Sequence, residues 1–407
     1  MSENSRLFEG IKVVEVASMF MAPTAATILA DYGADVIKVE SPEGDNLRVL
    51  STFKGMPESE VQYCYEMVNR NKQGIVLNLK QPAAIKALRE LIEQADIFIT
   101  NYRPKAQQRL KITYDDVKEI NPRLIYAYGS GYGETGPDVD QPGYDMICYW
   151  TRSGLESGLF PIDGWLGSWP PAMGDNPTGL ALLSSILGAL YRREKTGVGG
   201  KVSTNLLANG AWSNSCMIQA QLSGAEFQER RPRAQAYNYT GLHYRAKDNL
   251  IIRMCIVEHE KDWPKFCGAM ESMELTEDPR FITLQDRAEN METLIKIFDD
   301  KFNEQERPYW LARLIEFDVP HSGVSTYEDV ANDAQMEAIG VFEEFDHPKH
   351  GRMRTVNNPL TIEGEKTSIR MAAPELGQHT VEVLKDLGYD DTTINGMLEE
   401  GAATQGP

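Results

Sequence analysis

The sequence predicts an α/β fold, a mainly parallel sheet with helices on both faces, accompanied by a smaller α+β domain. Three observations carry that reading. Over the first 135 residues, short β-branched runs alternate with helical patterns, and strands separated by helices of about 10–15 residues pair in parallel. A long stretch rich in Gly, Pro, Tyr and Trp, 129–177, then interrupts the alternation. Beyond a polar, Arg-rich segment at 224–233, a hairpin followed by helices begins a different pattern.

The elements follow in order. Residues 11–16 (Ile-Lys-Val-Val-Glu-Val) form a strand, 23–32 a helix, and 35–39 (Asp-Val-Ile-Lys-Val) the next strand, a β-α-β unit. A second unit comprises the strand 74–79, a helix opened by Pro82 and running to Gln94, and the strand 96–99. Residues 124–128 supply a fifth strand. In such sheets ligands bind beyond the carboxyl ends of the strands, so the loops after each strand are the useful ones. The 129–177 stretch is a long structured loop of the kind that carries function. Helices are expected at 178–193 and 205–222, separated by a Gly-Val-Gly-Gly turn and the short strand 201–203. Residues 242–257 read as a hairpin around Asp248-Asn249, followed by helices from about 262, 287 and 304 and a loop through Val319-Pro320-His321. The C-terminal part returns to strand-like runs at 341–345 and 353–356 and ends in helices at 381–387 and 392–399.

Composition narrows the function. The 407 residues correspond to two or three domains at about 150 residues each. With 42% hydrophobic and 25% charged residues, the chain is neither disordered nor fibrous. The longest nearly apolar run, 180–191, falls short of the ~20 residues that span a bilayer. The first six residues lack a basic segment followed by an apolar one, so a cytoplasmic location is expected. A net charge of −19 repels polyanions, which argues against nucleic acid as a partner. Cys64, Cys148, Cys216, Cys255 and Cys267 are odd in number and show no C-x-x-C spacing, so neither a disulfide framework nor a zinc site is expected. His347 and His350 sit in a charged turn rather than a metal motif.

Where a dinucleotide fold would place G-x-G-x-x-G, the chain shows Ala17-Ser18-Met19-Phe20-Met21-Ala22-Pro23, which disfavours NAD and FAD. No G-x-S-x-G elbow, Walker loop or H-E-x-x-H occurs. Gly174-Asp175-Asn176-Pro177-Thr178-Gly179 is more informative. An Asp on a Gly-flanked turn just before an apolar helix faces a cleft beside a positive helix end, where it stays ionised and can attack an acyl carbon. An ordinary helix-capping Asp fits the same pattern.

Five ordered landmarks connect these pieces. They are residues 7–15 with Ala22-Pro23 and 29–40; Asn71-Lys72 with Asn101-Tyr102-Arg103-Pro104; Gly131-Tyr132-Gly133 through Gly136-Pro137; Gly174-Asp175; and Thr196-Gly197-Val198-Gly199-Gly200-Lys201-Val202. Together they resemble the family III CoA-transferases, in pattern closest to the phenyllactate and 2-hydroxyisocaproate branch. The resemblance implies a large Rossmann-like domain built from both chain ends (1–223 and 329–407), a linker at 224–235, a small α+β domain at 236–328, and two ring-shaped subunits interlocked. It implies Asp175 as catalytic nucleophile. Ser18, Met19, Arg48, Asn71, Lys72, Asn101, Arg103 and Arg109 correspond to CoA-binding positions, and Phe20, Met21, Tyr144 and Asp145 to substrate-binding ones. No metal or tightly bound cofactor is implied; CoA and acyl-CoA are substrates, and a homodimer or a heteromer with a homologous subunit is expected.

Two departures bear on the substrate. The formyl-CoA branch places a polar amide where Phe20 stands, and a glycine-rich flap where this chain has Cys255-Ile256-Val257-Glu258-His259-Glu260. An aryl or branched acid is therefore expected over a small diacid. The fold also hosts α-methylacyl-CoA racemases, whose Gly-His-Asp segment is here Gly143-Tyr144-Asp145; an ordinary phenol near pKa ~10 is a poor base at neutral pH, so a racemase is the alternative, alongside a catalytically silent subunit. The expected chemistry runs through mixed anhydrides and an aspartyl-CoA thioester. Tyr144, Tyr149, Trp150, Trp165 and Trp169 either keep water from those intermediates or simply fill core.

Overall fold

The structure is a computed structural model and describes residues 6–161, 164, 167 and 169–407; Trp165 lies outside the described residues. By contact the chain divides into two units, one comprising 1–159, 167–225 and 339–407, the other 160–166 and 226–338.

The first unit is built on a sheet of β1 (Lys12–Val16), β2 (Asp35–Glu40), β3 (Lys72–Leu77), β4 (Ile97–Thr100), β5 (Ile125–Ser130) and β6 (Gly200–Asn205), with the C-terminal strand Ala403–Thr404 added at one edge. The order is Ala403–Thr404, β3, β2, β1, β4, β5, β6, all parallel except the C-terminal strand, which runs antiparallel to β3. Strand order reverses between β1 and β4, so the loops leaving Val16 and Thr100 lie side by side at the switch point where such sheets form their ligand crevice.

Helices α1 (Met21–Asp31), α2 (Tyr63–Asn69), α3 (Pro82–Gln94), α4 (Pro104–Leu110), α5 (Tyr114–Val117), α6 (Leu155–Leu159) and α7 (Asp175–Thr196) follow in chain order. α3 starts and ends where the sequence predicts: Pro82 opens it, and Ala84, Ala87, Leu88, Leu91 and Ile92 make one buried stripe. That stripe joins β1, β3 and the C-terminal helix residues Val383, Leu384 and Ile394 in one core layer. On the opposite face α1 and α7 pack over Val13, Ile97, Ile99 and Ile125.

Several elements depart from expectation. β3 begins two residues earlier than the predicted 74–79, which takes Lys72 into the sheet. The 129–177 stretch contains a π-helical segment, Met146–Thr151, and α6. The helix expected over 205–222 is two helices, Leu206–Ser213 and Ser215–Leu222, because Asn214 leaves the helical conformation at φ −94°, ψ 13° and donates from its side chain to the Ser153 carbonyl.

In the second unit β7 (His243–Arg245), β8 (Ile251–Met254) and β9 (His321–Gly323) form an antiparallel sheet. Asn249 turns the expected hairpin at φ 65°. β9 occupies what the sequence reads as loop, being too short to display alternation. Trp310, Phe266, Phe298, Phe302 and Tyr244 fill the core of this unit. Among the described residues no helix is long and apolar enough to cross a membrane, and no group of three or more His, Cys, Asp or Glu could hold a metal ion.

Candidate active site

The site starts from two charges buried at matched positions of neighbouring strands. Glu15 on β1 and Lys38 on β2 are register partners, both fully buried. Lys38 Nζ donates to Glu15 Oε1 at 2.9 Å, to the Ala17 carbonyl at 3.0 Å and to Asp45 Oδ2 at 3.0 Å. Lys72 on β3 donates to the other Glu15 oxygen at 2.6 Å and to the carbonyls of Pro23 and Val68. Burial works against every one of these charges, but Lys38 and Lys72 hold Glu15 below the usual carboxylate range, and Glu15, Asp45 and Glu40 hold Lys38 well above its own. Burial, opposed by Glu15 and reinforced by Lys38, pulls Lys72 down to about 8.

This network fixes the loop between β1 and α1. Asp45 Oδ1 accepts from the Met19 N–H at 3.2 Å, while Asn101, leaving β4, accepts from the Ser18 N–H at 3.1 Å and donates to the Ser18 carbonyl at 2.7 Å. Met19 takes a left-handed conformation, φ 65°. Ser18 and Met19 remain half-buried, whereas Phe20 packs into a cluster with Leu47, Tyr65, Val68 and Ala172, and Met21 presses its sulfur against Gly129.

The second half of the site is the start of α7. Gly174 is the N-cap and Asp175 the first helical residue, 9% exposed. Asp145, at the entry to the π-helical segment, accepts from the Gly174 N–H at 3.0 Å through Oδ2. The Gly174 donor thus goes to Asp145, and the Asp175 carboxylate makes no cap to the helix end. A side chain at position 174 would overlap Asp145 and the Tyr149 ring, which explains the glycine. Burial, and the charge of Asp145 beside it, push Asp175 up to about 7. Burial likewise raises Asp145, against the hydrogen bond it accepts from the Gly174 N–H.

The sequence pictures Asp175 as a cleft-exposed, fully ionised carboxylate or a helix cap. It is instead buried, poised near neutrality, and makes no side-chain cap, because Asp145, 30 positions earlier, is folded against its turn.

The two halves interlock. Thr24 of α1 donates to Asn176 at 3.1 Å, and Gly179 of α7 lies so close to α1 that a Cβ there would come within 2.6 Å of the Met21 carbonyl. Tyr149 is buried and hydrogen-bonded to Ser213 at 2.7 Å; Trp150 stacks on Trp169 with ring centroids 4.7 Å apart. Tyr144 is exposed.

The remaining expected contacts are spread out. Arg48 is bidentate to Glu40, lies over the Tyr65 ring and donates to the Pro374 carbonyl. Asn71 is buried, also left-handed (φ 63°), and joins Asp31 to the backbone of 368–371. Lys72 is wholly buried under α1. Arg103 is exposed and donates to the Asp140 carbonyl at 3.3 Å; Arg109 is exposed on α4. Ser18, Met19 and Asn101 are thus brought together at the switch point, while Arg48, Asn71 and Lys72 serve the scaffold behind it. Sequence reading passes over Glu15, Lys38 and Asp45. The available signal was a pair of opposite charges set at the same depth in two consecutive apolar strands.

Comparison with known proteins gives this arrangement its class. Residues 8–380 match the model of CoA-transferase family III, and the chain belongs to that family: it is a CoA-transferase. Two characterised relatives align over nearly the full chain. A (R)-2-hydroxy-4-methylpentanoate CoA-transferase from Clostridioides difficile is 34% identical, covering 97% of this chain and 98% of the relative. A cinnamoyl-CoA:phenyllactate CoA-transferase from Clostridium sporogenes is 31% identical, covering 98% of each. The fold matches the crystal structure of a CAIB/BAIF family protein from Brucella suis with a TM-score of 0.81 at 25% identity, over 94% of this chain and 100% of that one.

Proposed function

We propose that this enzyme moves CoA from an acyl-CoA to a free carboxylic acid bearing an aryl or branched apolar side chain, with Asp175 as nucleophile. The observation that carries the reading is the buried Asp175 carboxylate at the first turn of α7, raised to about 7 and without a cation or side-chain donor among the described residues to quench it. A carboxylate stripped of water and helix donors is more basic and more reactive than an exposed one, and at neutral pH about half of it is ionised.

The Asp175 carboxylate attacks the thioester carbonyl and expels CoA thiolate, leaving a mixed anhydride. The thiolate attacks the Asp175 carbonyl, releasing the donor acid and forming an aspartyl-CoA thioester. The acceptor carboxylate attacks that thioester, CoA thiolate leaves, and a second anhydride forms. Thiolate attack on the acceptor's acyl carbon yields the new acyl-CoA and frees Asp175. Each step conserves the thioester's energy only if water stays out; Tyr149, Trp150 and Trp169 wall the turn on one side. Ser18, Met19 and Asn101 at the switch point face the CoA and acyl group in this reading, Phe20 and Met21 back the loop with apolar surface, and the exposed Arg103 and Arg109 supply cationic charge for CoA phosphates. Tyr144 and Asp145 line the substrate side of the turn, Asp145 tuning Asp175. On the family resemblance, the working assembly is an interlocked dimer of two such chains.

The substrate class rests on the relatives, whose names specify a branched 2-hydroxy acid in one and aryl acids in the other, and on the absence of a polar side chain at positions 19–21. A screen of acyl-CoA donors against carboxylic acids, read by mass spectrometry of the CoA products, tests it. Aryl and branched acids are expected to outrun oxalate and formate, at ~0.8 kcal/mol per buried methylene; preference for the small acids refutes the substrate assignment.

A further inference from the structure

Every polar backbone group from the Ala17 carbonyl to the Met19 N–H is held by a side chain from behind the loop. Lys38 takes the Ala17 carbonyl, Asn101 both polar groups of Ser18, and Asp45 the Met19 N–H. Asp45 is itself immobilised: Lys38 holds Oδ2, Oδ1 also accepts from the Leu47 N–H at 3.0 Å, and Glu40 accepts from the Asp45 N–H at 2.8 Å. Glu40 in turn is neutralised by Arg48. Lys38 and Asp45 have side-chain exposures of 0% and 1%, so neither can touch a substrate. A left-handed Met is disfavoured by its Cβ and persists only where its surroundings impose it. The imposed turn points Phe20 into the cluster with Ala172, three residues before Asp175, and leaves Ser18 and Met19 at the crevice.

We propose that Lys38 and Asp45 are positioning residues for CoA transfer, holding Ala17–Met19 in the strained turn that sets Ser18 and Met19 against the crevice beside Asp175. This rests on the reading that the crevice holds the CoA and acyl group. The pair acts through backbone, so it shapes the turnover of bound substrate more than the binding of CoA at a distance.

The test is a double-mutant cycle on steady-state CoA exchange, with rates normalised to folded enzyme by circular dichroism. Asp45→Asn keeps the volume but must present an amide N–H either to the Lys38 ammonium or to the Met19 and Leu47 N–H groups, so the donors on one side lose their acceptor. Its kcat is expected to fall about tenfold or more, with the KM for acyl-CoA changed less than about threefold. Met19→Gly removes the Cβ penalty, so the turn no longer depends on being forced. On that background Asp45→Asn is expected to cost less than about threefold in kcat. Equal kcat losses in both backgrounds, or a loss in stability with kcat per folded enzyme unchanged, would overturn the proposal and leave Asp45 as scaffold. Hydroxylamine labelling of Asp175, run on the same enzyme beside the exchange assay, shows a failure of the nucleophile assignment separately, as exchange without an Asp175 adduct. If Asp45→Asn does not fold, Lys38→Met is read in the same cycle, with the same expected pattern and the same overturning result.

Discussion

Replacing Asp175 with Asn should make the protein more stable, and by an amount that depends on pH in a defined direction. The carboxyl is 9% exposed, its folded pKa is about 7 against an ordinary 3.8, and the causes are burial and the Asp145 charge. A carboxyl whose pKa is raised by folding penalises the native state when ionised. The penalty is complete above the folded value, shrinks as pH falls through the interval between 7 and 3.8, and vanishes below it. At ~1.4 kcal/mol per unit, the penalty is about 4 kcal/mol at pH 8 and about 2 kcal/mol at pH 5. Asn has nearly the same volume and no charge, so Asp175→Asn should remove it. The assay is equilibrium urea unfolding by far-UV circular dichroism at pH 5, 6, 7 and 8, wild type beside variant. The expected result is a stabilisation that grows with pH and levels off above 7. A variant less stable than wild type at pH 8, or equally stabilised at every pH, would refute the claim that folding forces this carboxylate into an unfavourable charge state.

Two further outcomes follow from the same geometry. Gly174→Ala places a methyl onto Asp145 and Tyr149; it should cost ~1–3 kcal/mol in unfolding free energy and lower exchange activity by displacing Asp175, and wild-type activity would show that the turn has room to spare. Lys72→Met removes one of Glu15's two cations and takes one donor from the Pro23 and Val68 carbonyls, which are left to share the Thr27 hydroxyl. Thermal or urea unfolding should show a loss of ~3–5 kcal/mol, and a loss under ~1 kcal/mol would show that Lys38 alone satisfies Glu15.

What could be read in advance divides along physical lines. α3 is legible to the residue because Pro82 and the spacing of Ala84, Leu88, Leu91 and Ile92 are local facts. β1 and β2 fall within one residue of the expected bounds, and the glycines around Asp175 are equally local signals. Lys72 falls outside the strand expected at 74–79 because a charged side chain hides a strand position; the Glu15 carboxylate, 57 residues away, and the Pro23 and Val68 carbonyls make its burial tolerable. The single helix expected over 205–222 fails for a similar reason, since the break at Asn214 answers to Ser153 across the fold. The motif marks Asp175 but not its state, because Asp145 reaches its turn only through tertiary structure.

In the proposed reaction Asp175 becomes acylated during CoA transfer. Incubating the wild-type enzyme with a branched or aryl acyl-CoA and hydroxylamine, then mapping peptides by mass spectrometry, tests it directly. A hydroxamate is expected at Asp175, forming faster as pH rises through about 7 with ionisation of the carboxylate, and absent, together with CoA exchange, in Asp175→Ala. CoA exchange at the wild-type rate in Asp175→Ala, or turnover with no hydroxamate at that position, would contradict it.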